Sequence, residues 1–339
     1  INQYVVVKTL GRGAFGKVKL CLNTLDGQLY AVKASGRIMC RDLGCWSGAV
    51  PRAAAPARAS MDDTSPLAAI MREIAVMKKV DHPHVVRLHE VIDPPGSSYL
   101  MMVMEYCEGG CVMETRQQTG LTPLGEDTAR EYFRQACLGL DYLHYNNVVH
   151  GDLKPENMLV SGSGLLKIAD FGSSRFMGGD PTDATKTSCT PAFQSPEEIG
   201  HMLVNPFAAD LWALACCLFC FVFGRLPFVG SCVVDIYRAI LTRPHVFPEE
   251  VSCSPALKDL LDRMLHKDPN KRLKLREVGQ HEWVTAGGRL PPLQSLQSLG
   301  PAGPGGEARP PVIHVTHAEQ VNAIDRSSLV SLVRARLKV

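Results

Sequence analysis

"VVHGDLKPEN", residues 148–157, sets a carboxylate, an ammonium and an amide within six positions: Asp152, Lys154 and Asn157. These are groups that orient a hydroxyl, neutralise an anion and hold a hard cation. Gly151 stands directly before the aspartate and offers no side chain at all. Whether the set is whole depends on what the rest of the chain supplies.

Downstream, "KIADFGSS" at 167–174 adds Asp170, a second carboxylate. Upstream, "GRGAFGKV" at 11–18 lies between two strand-like runs. Gly11, Gly13 and Gly16 let a backbone approach phosphate oxygens with its amides as donors. A dinucleotide fingerprint would open a helix, whereas here the strand-like "KVKLCL" follows. "YAVKAS" then puts Lys33 at the end of an apolar run. A lysine there can bind phosphates if a carboxylate holds it, and Glu73 in "IMREIAVMKKVDHP" is the candidate partner.

Together these groups describe phosphoryl transfer, in which positioning and charge neutralisation do most of the work. In such a reaction Asp152 would orient the acceptor hydroxyl and accept its proton late, Lys154 would neutralise the transferred group, and Asn157 and Asp170 would hold Mg²⁺, which favours oxygen ligands shared with phosphate.

The composition is compatible with a large packed enzyme. The chain has 339 residues, 45% hydrophobic, with 36 basic and 34 acidic side chains. That near-balance gives no reason to expect a nucleic-acid or membrane partner. Of the 12 cysteines, Cys216, Cys217 and Cys220 sit inside "LWALACCLFCFVF", residues 211–223, where free cysteine acts as a small hydrophobe in a reducing compartment. This run is well short of the ~20 residues that span a bilayer and reads as a buried central helix.

The first ~35 residues alternate as strands. Residues 36–63 lack a helical stripe and read as an inserted loop. Pro66–Val80 reads as a helix, with Ile70, Ile74 and Met77 on one stripe. Two strands follow, "VVRLHEVI" and "YLMMVMEY", then mostly helices to about Trp283. Residues 285–311 are Gly/Pro-rich and read as a linker. In "DRSSLVSLVRARLKV", Leu329, Leu332, Val333 and Leu337 make one apolar helical face, with Arg334, Arg336 and Lys338 near its end.

Glycine loop, Lys33, Glu73, "HGDLKPEN" and "DFG" occur in one order at domain-scale spacing, and this resembles a eukaryotic-type protein kinase domain over residues 4–284. The resemblance implies an α+β, bilobal kinase fold: a small β-rich N-lobe with hinge at 1–107, a larger mostly helical C-lobe at 108–284, and a regulatory C-terminal segment at 312–339. It implies ATP and Mg²⁺ as cofactors. Val18 and Ala31 would line the adenine site, backbone groups of Glu105 and Cys107 would bond adenine, and Met104 would be the gatekeeper. Asp210 would brace the catalytic loop, and Arg272 would pair with Glu197 at the end of the activation segment. Asp-Leu-Lys-Pro-Glu-Asn and Thr190, placed to bond Asp152 and Lys154, resemble the Ser/Thr pattern. Thr187 is the candidate phosphorylation site.

"CTPAFQSPE", "FCFVFGRLPF", "HEWVT" and "VTHAEQVNAI" are similar to the calcium/calmodulin-dependent protein kinase kinases, which also carry an Arg/Pro-rich insert where residues 36–63 stand. That likeness implies other kinases as protein substrates, calmodulin as a partner of the C-terminal segment, and a cytoplasmic and nuclear location. Three departures stand out: Gly151 for the usual arginine, Cys189 for a glycine, and only Pro51 and Pro56 in the insert. The competing reading is a pseudokinase scaffold. The complete set of Lys33, Glu73, Asp152, Lys154, Asn157 and Asp170 favours an enzyme.

Overall fold

The structure, a computed structural model, describes residues 3–13, 16–36, 66–94, 97, 99–115, 119–177, 190–202, 204–296, 312, 313, 319 and 323. Most of the insert, Thr187 and the expected C-terminal helix lie outside the described residues. The chain forms two compact units.

The first unit holds a five-stranded antiparallel sheet in the order β1-β2-β3-β5-β4. Its elements are β1 (Tyr4–Gly13), β2 (Gly16–Asn23), β3 (Leu29–Gly36), α1 (Pro66–Met77), β4 (Leu88–Ile92) and β5 (Tyr99–Glu105). β5 is bonded on both sides, and Leu100 to Val103 are all buried, as a continuous apolar run in a central strand requires. One face of the sheet packs Tyr4, Cys21, Val32, Ile92, Met101 and Val103 together.

The glycine motif forms a hairpin, with Gly11 opposite Val18 and Gly13 opposite Gly16. A side chain on Gly16 would place its Cβ 1.8 Å from the Ala34 carbonyl oxygen. Gly16 is therefore demanded by the close approach of β2 to β3. Gly11 has open space around it.

α1 stops at Met77, three residues before the expected Val80, with the Lys78 amide closing on Ile74 O at 2.9 Å. Pro83 lies shortly beyond, where a helix cannot continue. From Ile70 to Met77 every residue except Arg72 is buried, so the expected stripe is part of a helix enclosed nearly all round.

The second unit begins with the small strand β6 (Gly110–Cys111) and the long helix α2 (Glu126–Tyr145). It continues through β7 (Val148–Val149), β8 (Met158–Val160), β9 (Leu166–Ile168) and β10 (Arg175–Phe176). Helices α3 (Pro196–Ile199), α4 (Pro206–Phe223), α5 (Val233–Thr242), α6 (Pro255–Met264) and α7 (Leu275–Gln280) complete it. β6, β8 and β9 form one sheet, and β7 pairs with β10.

α4 is the core helix. Asn205 caps it by accepting the Phe207 and Ala208 amides, and Pro206 supplies a preset first turn. By length and composition it could cross a membrane, yet Ala209 through Phe223 are all buried inside the unit. Full burial of each large apolar side chain contributes roughly 1.5–3 kcal/mol. Glu126, in the first turn of α2, receives Trp283 Nε1 at 2.7 Å and Ser254 Oγ at 2.6 Å, which joins the start of α6 and the segment after α7 to α2.

The segment expected as a linker is anchored over its first part. Leu293 N bonds Gly279 O at 2.9 Å, and Arg134 bonds Pro291 O at 2.9 Å. Ser295 Oγ and Leu296 N both reach the Asp141 carboxylate, at 2.6 and 2.7 Å. The Pro291-Pro292 pair masks this docking in the sequence.

Candidate active site

Two sets of charged groups are built, one in each unit. In the first unit, β3 carries Lys33 in register with Val18 on β2 and Met102 on β5. Both neighbours are apolar, and Lys33 is only 7% exposed. Its Nζ lies 2.7 Å from Glu73 Oε1 on α1, and Glu73 is 2% exposed. A buried ammonium and carboxylate need each other, because either alone would bear an uncompensated desolvation cost. Ala31 pairs in register with Met104, and Tyr30 with Glu105 at the end of β5. Cys107 is buried and opens the chain's entry to the second unit.

In the second unit, the loop after β7 carries the quoted stretch. Lys154 Nζ lies 2.6 Å from Asp152 Oδ2 and donates to Thr190 Oγ1 at 2.9 Å. Thr190 closes the triangle: its hydroxyl and its amide both donate to Asp152 Oδ1, at 2.8 and 3.0 Å. A residue 38 positions away thus fixes the rotamer of the carboxylate and the lysine together. Asn157, on the turn Pro155–Asn157, donates Nδ2 to Asp152 O at 2.9 Å. That bond commits the amide nitrogen and leaves the amide oxygen for a cation. Asp170 sits at φ 63°, a left-handed conformation for a non-glycine residue. Strain of this kind is held only where the surroundings enforce it.

The loop is braced from beneath. Asp210 on α4 accepts the His150 amide on Oδ2 and the Gly151 amide on Oδ1, both at 2.9 Å, and His144 Nε2 lies 2.9 Å from Oδ2 as well. Burial pushes this carboxyl up, but the bond from His144 and the nearby His150 and Gly151 outweigh it and hold the group below the usual carboxylate range. His150 is fully buried, meets Ala169 O at 3.0 Å and packs edge-on against Phe171. It therefore links the catalytic loop to the turn carrying Asp170.

Glu197 and Arg272 form a two-pronged pair at 2.7 and 2.9 Å, almost wholly buried. Arg272 also donates to Ala208 O at 2.7 Å, so the end of the activation segment is tied to the start of α4.

Gly151 has φ +76°, and a Cβ there would lie 2.8 Å from Ser173 O. The missing arginine leaves no gap in the Asp152, Lys154 and Thr190 triangle. His144 and His150 were not singled out from the sequence. A buried histidine next to an apolar run carries no local signal, since its partners are 66 and 19 positions away.

The model of the protein kinase domain matches residues 53–284. The chain belongs to the protein kinase family. The kinase is 40% identical over 295 residues to a calcium/calmodulin-dependent protein kinase kinase of Caenorhabditis elegans, covering 86% of this chain and 54% of that protein. It is 38% identical over 286 residues to the serine/threonine-protein kinase GRIK2 of Arabidopsis thaliana, covering 84% and 66%. It is 38% identical over 297 residues to the serine/threonine-protein kinase ssp1 of Schizosaccharomyces pombe, covering 85% and 43%. The chain thus spans from 43% to 66% of the length of these relatives. The relatives put this kinase domain in the serine/threonine class, which uses ATP with Mg²⁺.

Proposed function

We propose that the chain transfers the γ-phosphoryl group of ATP to serine or threonine hydroxyls of other protein kinases. The observation that carries this reading is the triangle of Asp152, Lys154 and Thr190. Asp152 Oδ1 and Oδ2 are aimed by two partners, so the carboxylate is oriented before a hydroxyl arrives. Asp152 then accepts the hydroxyl's proton as the new P–O bond forms and the bond to the ADP oxygen breaks. Lys154 faces the charge on the group in flight. In the first unit, Lys33 binds the α- and β-phosphates while Glu73 holds it.

Asn157, through its free amide oxygen, and Asp170, a carboxylate, fit a Mg²⁺ ion, whose charge when bound offsets that of the phosphates. The complete charged set speaks against a scaffold without catalysis.

The upstream role rests on the relatives, of which one is named a kinase kinase. Calmodulin control rests on that name and on the basic, amphipathic sequence at 325–339. Purified protein is assayed against a panel of recombinant kinases, beside Asp170→Asn. Phosphorylation by wild type and its loss in the variant support the proposal, and equal signals refute it. A synthetic 322–339 peptide titrated with Ca²⁺-calmodulin tests the second part. No binding at micromolar peptide sinks it.

A further inference from the structure

Gly151 makes the catalytic loop depend on an anchor outside it. Glycine has more conformational freedom to lose than any other residue, and this one is held at φ +76° with no side chain to fix it. What fixes it is its amide, which together with the His150 amide ends on the two oxygens of Asp210. The rotation of that carboxylate therefore sets where Asp152, the next residue, stands.

A second group governs the rotation. His144, in the last turn of α2, is buried, and its Nε2 lies 2.9 Å from Asp210 Oδ2, the oxygen that also takes the His150 amide. Asp210 already accepts two amides, so it is the acceptor here too and His144 Nε2 carries the hydrogen. The pair is 3% and 2% exposed, and a hydrogen bond to a charged acceptor is of the stronger kind. The His144 ring packs edge-on against Phe207, in the first turn of α4, with centroids 4.9 Å apart. Packing thus aims the ring, and the ring aims the carboxylate.

We propose that His144 is a positioning residue for phosphoryl transfer: by donating to Asp210 Oδ2 it locks the carboxylate that carries Gly151, and so places Asp152 for the acceptor hydroxyl. The proposal rests on the role given to Asp152 above. It adds that a loop with glycine at position 151 draws its precision from the junction of α2 and α4. His144 acts through Asp210, so its loss is felt in turnover rather than in the binding of ATP or acceptor. A misplacement of about 1 Å at a reacting group can cost about a hundredfold in rate, so a partial loosening is measurable.

The test uses the full chain, ATP and a serine/threonine peptide that wild type phosphorylates. His144→Phe keeps a ring against Phe207 and removes the donor. His144→Met is a second variant without a donor, and His144→Gln keeps one. Thermal unfolding is followed for each. The expected result is a kcat about tenfold lower or more in the Phe and Met variants, with KM for ATP and peptide within about twofold, and a kcat within about threefold of wild type in His144→Gln. In an Asp210→Asn background, His144→Phe should lower kcat by less than about twofold further, because the two residues act through one bond. Wild-type kcat in a folded Phe or Met variant overturns the proposal. Equal losses in His144→Gln and His144→Phe also overturn it, since packing alone would then explain them. The same tenfold loss repeated in Asp210→Asn overturns it as well, because His144 would be acting elsewhere. Failure of both the Phe and Met variants to fold would assign His144 to the fold instead. Asp152→Asn serves as the control on the underlying reading: undiminished transfer in that variant removes the role of Asp152, and the positioning role with it.

Discussion

The amide of Gly151 donates to Asp210 Oδ1 at 2.9 Å, while the amide of His150 uses the other oxygen at the same distance. The catalytic loop therefore hangs from a single buried carboxylate on α4. Asp210→Ala leaves two buried amides and His144 without their acceptor. Each such orphan costs ~1–3 kcal/mol. The expected result is a loss of about 3–5 kcal/mol in urea denaturation and at least a hundredfold drop in kcat, since Asp152 follows Gly151 directly. Full activity in this variant would show that the loop keeps its shape without the brace.

Lys33 and Glu73 separate stability from chemistry. Lys33→Met removes the short ion pair made by a buried carboxylate and the cation proposed to bind the phosphates. Turnover should fall more than a hundredfold, and stability by about 3 kcal/mol. The double variant Lys33→Met/Glu73→Gln should regain much of the stability and none of the turnover. Recovery of turnover would mean that Lys33 serves α1 placement alone.

Gly151 lacks the arginine that clamps a phosphorylated activation segment in related loops, and it touches neither reacting group. Phosphatase-treated enzyme should therefore keep at least half its turnover, and Thr187→Ala should stay within about threefold of wild type. Gly151→Arg should lower kcat rather than install phosphate control. A left-handed non-glycine residue costs ~1–2 kcal/mol, and its Cβ would press on Ser173 O. Abolition of wild-type activity by phosphatase would end the phosphate-independent reading.

His82 predicts an acid limb of stability. Burial, then the charges of His84 and Lys167, push its pKa down from 6.5 to about 4. The His84 amide donates to His82 Nδ1 at 3.2 Å, which needs that nitrogen unprotonated, and the ring stacks on Tyr142. Between pH 6.5 and 4 the unfolded chain binds the proton that the native ring refuses. Stability is then fully present above pH 6.5 and lost as pH falls toward 4. Urea midpoints should fall over this window in wild type and less steeply in His82→Gln. Parallel slopes would refute the assignment.

The docked stretch after α7 sets where the chain can be shortened. A chain ending at residue 285 exposes Asp141, frees Gly279 O and leaves Arg134 only its bond to Val284 O, whereas one ending at 296 keeps these bonds. The shorter form should be less stable by about 2–4 kcal/mol in chemical denaturation. Equal midpoints would show that residues 286–296 contribute nothing to the fold.

Much of the site was legible because charge in an apolar run is conspicuous. Lys33 follows Ala31-Val32 and Glu73 precedes Ile74, and burying such groups demands partners, whereas the brace from Asp210 and the pairing of Glu197 with Arg272 came from the resemblance to protein kinases. The braces made by histidine were not legible, because His144 and His150 find their partners through tertiary contact alone. The reach of α1 was overstated by three residues, since periodicity does not mark a helix end as sharply as a proline ahead does. The docked stretch at 291–296 was hidden by its prolines, which read as linker while the Pro291 carbonyl and the side chain of Ser295 bond α2.

The contact between Gly16 and Ala34 changes how damage to this protein should be interpreted. A glycine in a phosphate-binding motif invites the inference that any replacement harms nucleotide contact. At position 16 the obstruction is the neighbouring strand's own carbonyl, so the lesion precedes any encounter with nucleotide. A library variant at Gly16 would register as lost activity, yet its origin would be a sheet that cannot close, and saturating ATP would not restore it. At Gly11, where space is open, the same replacement and the same assay would report on the ligand.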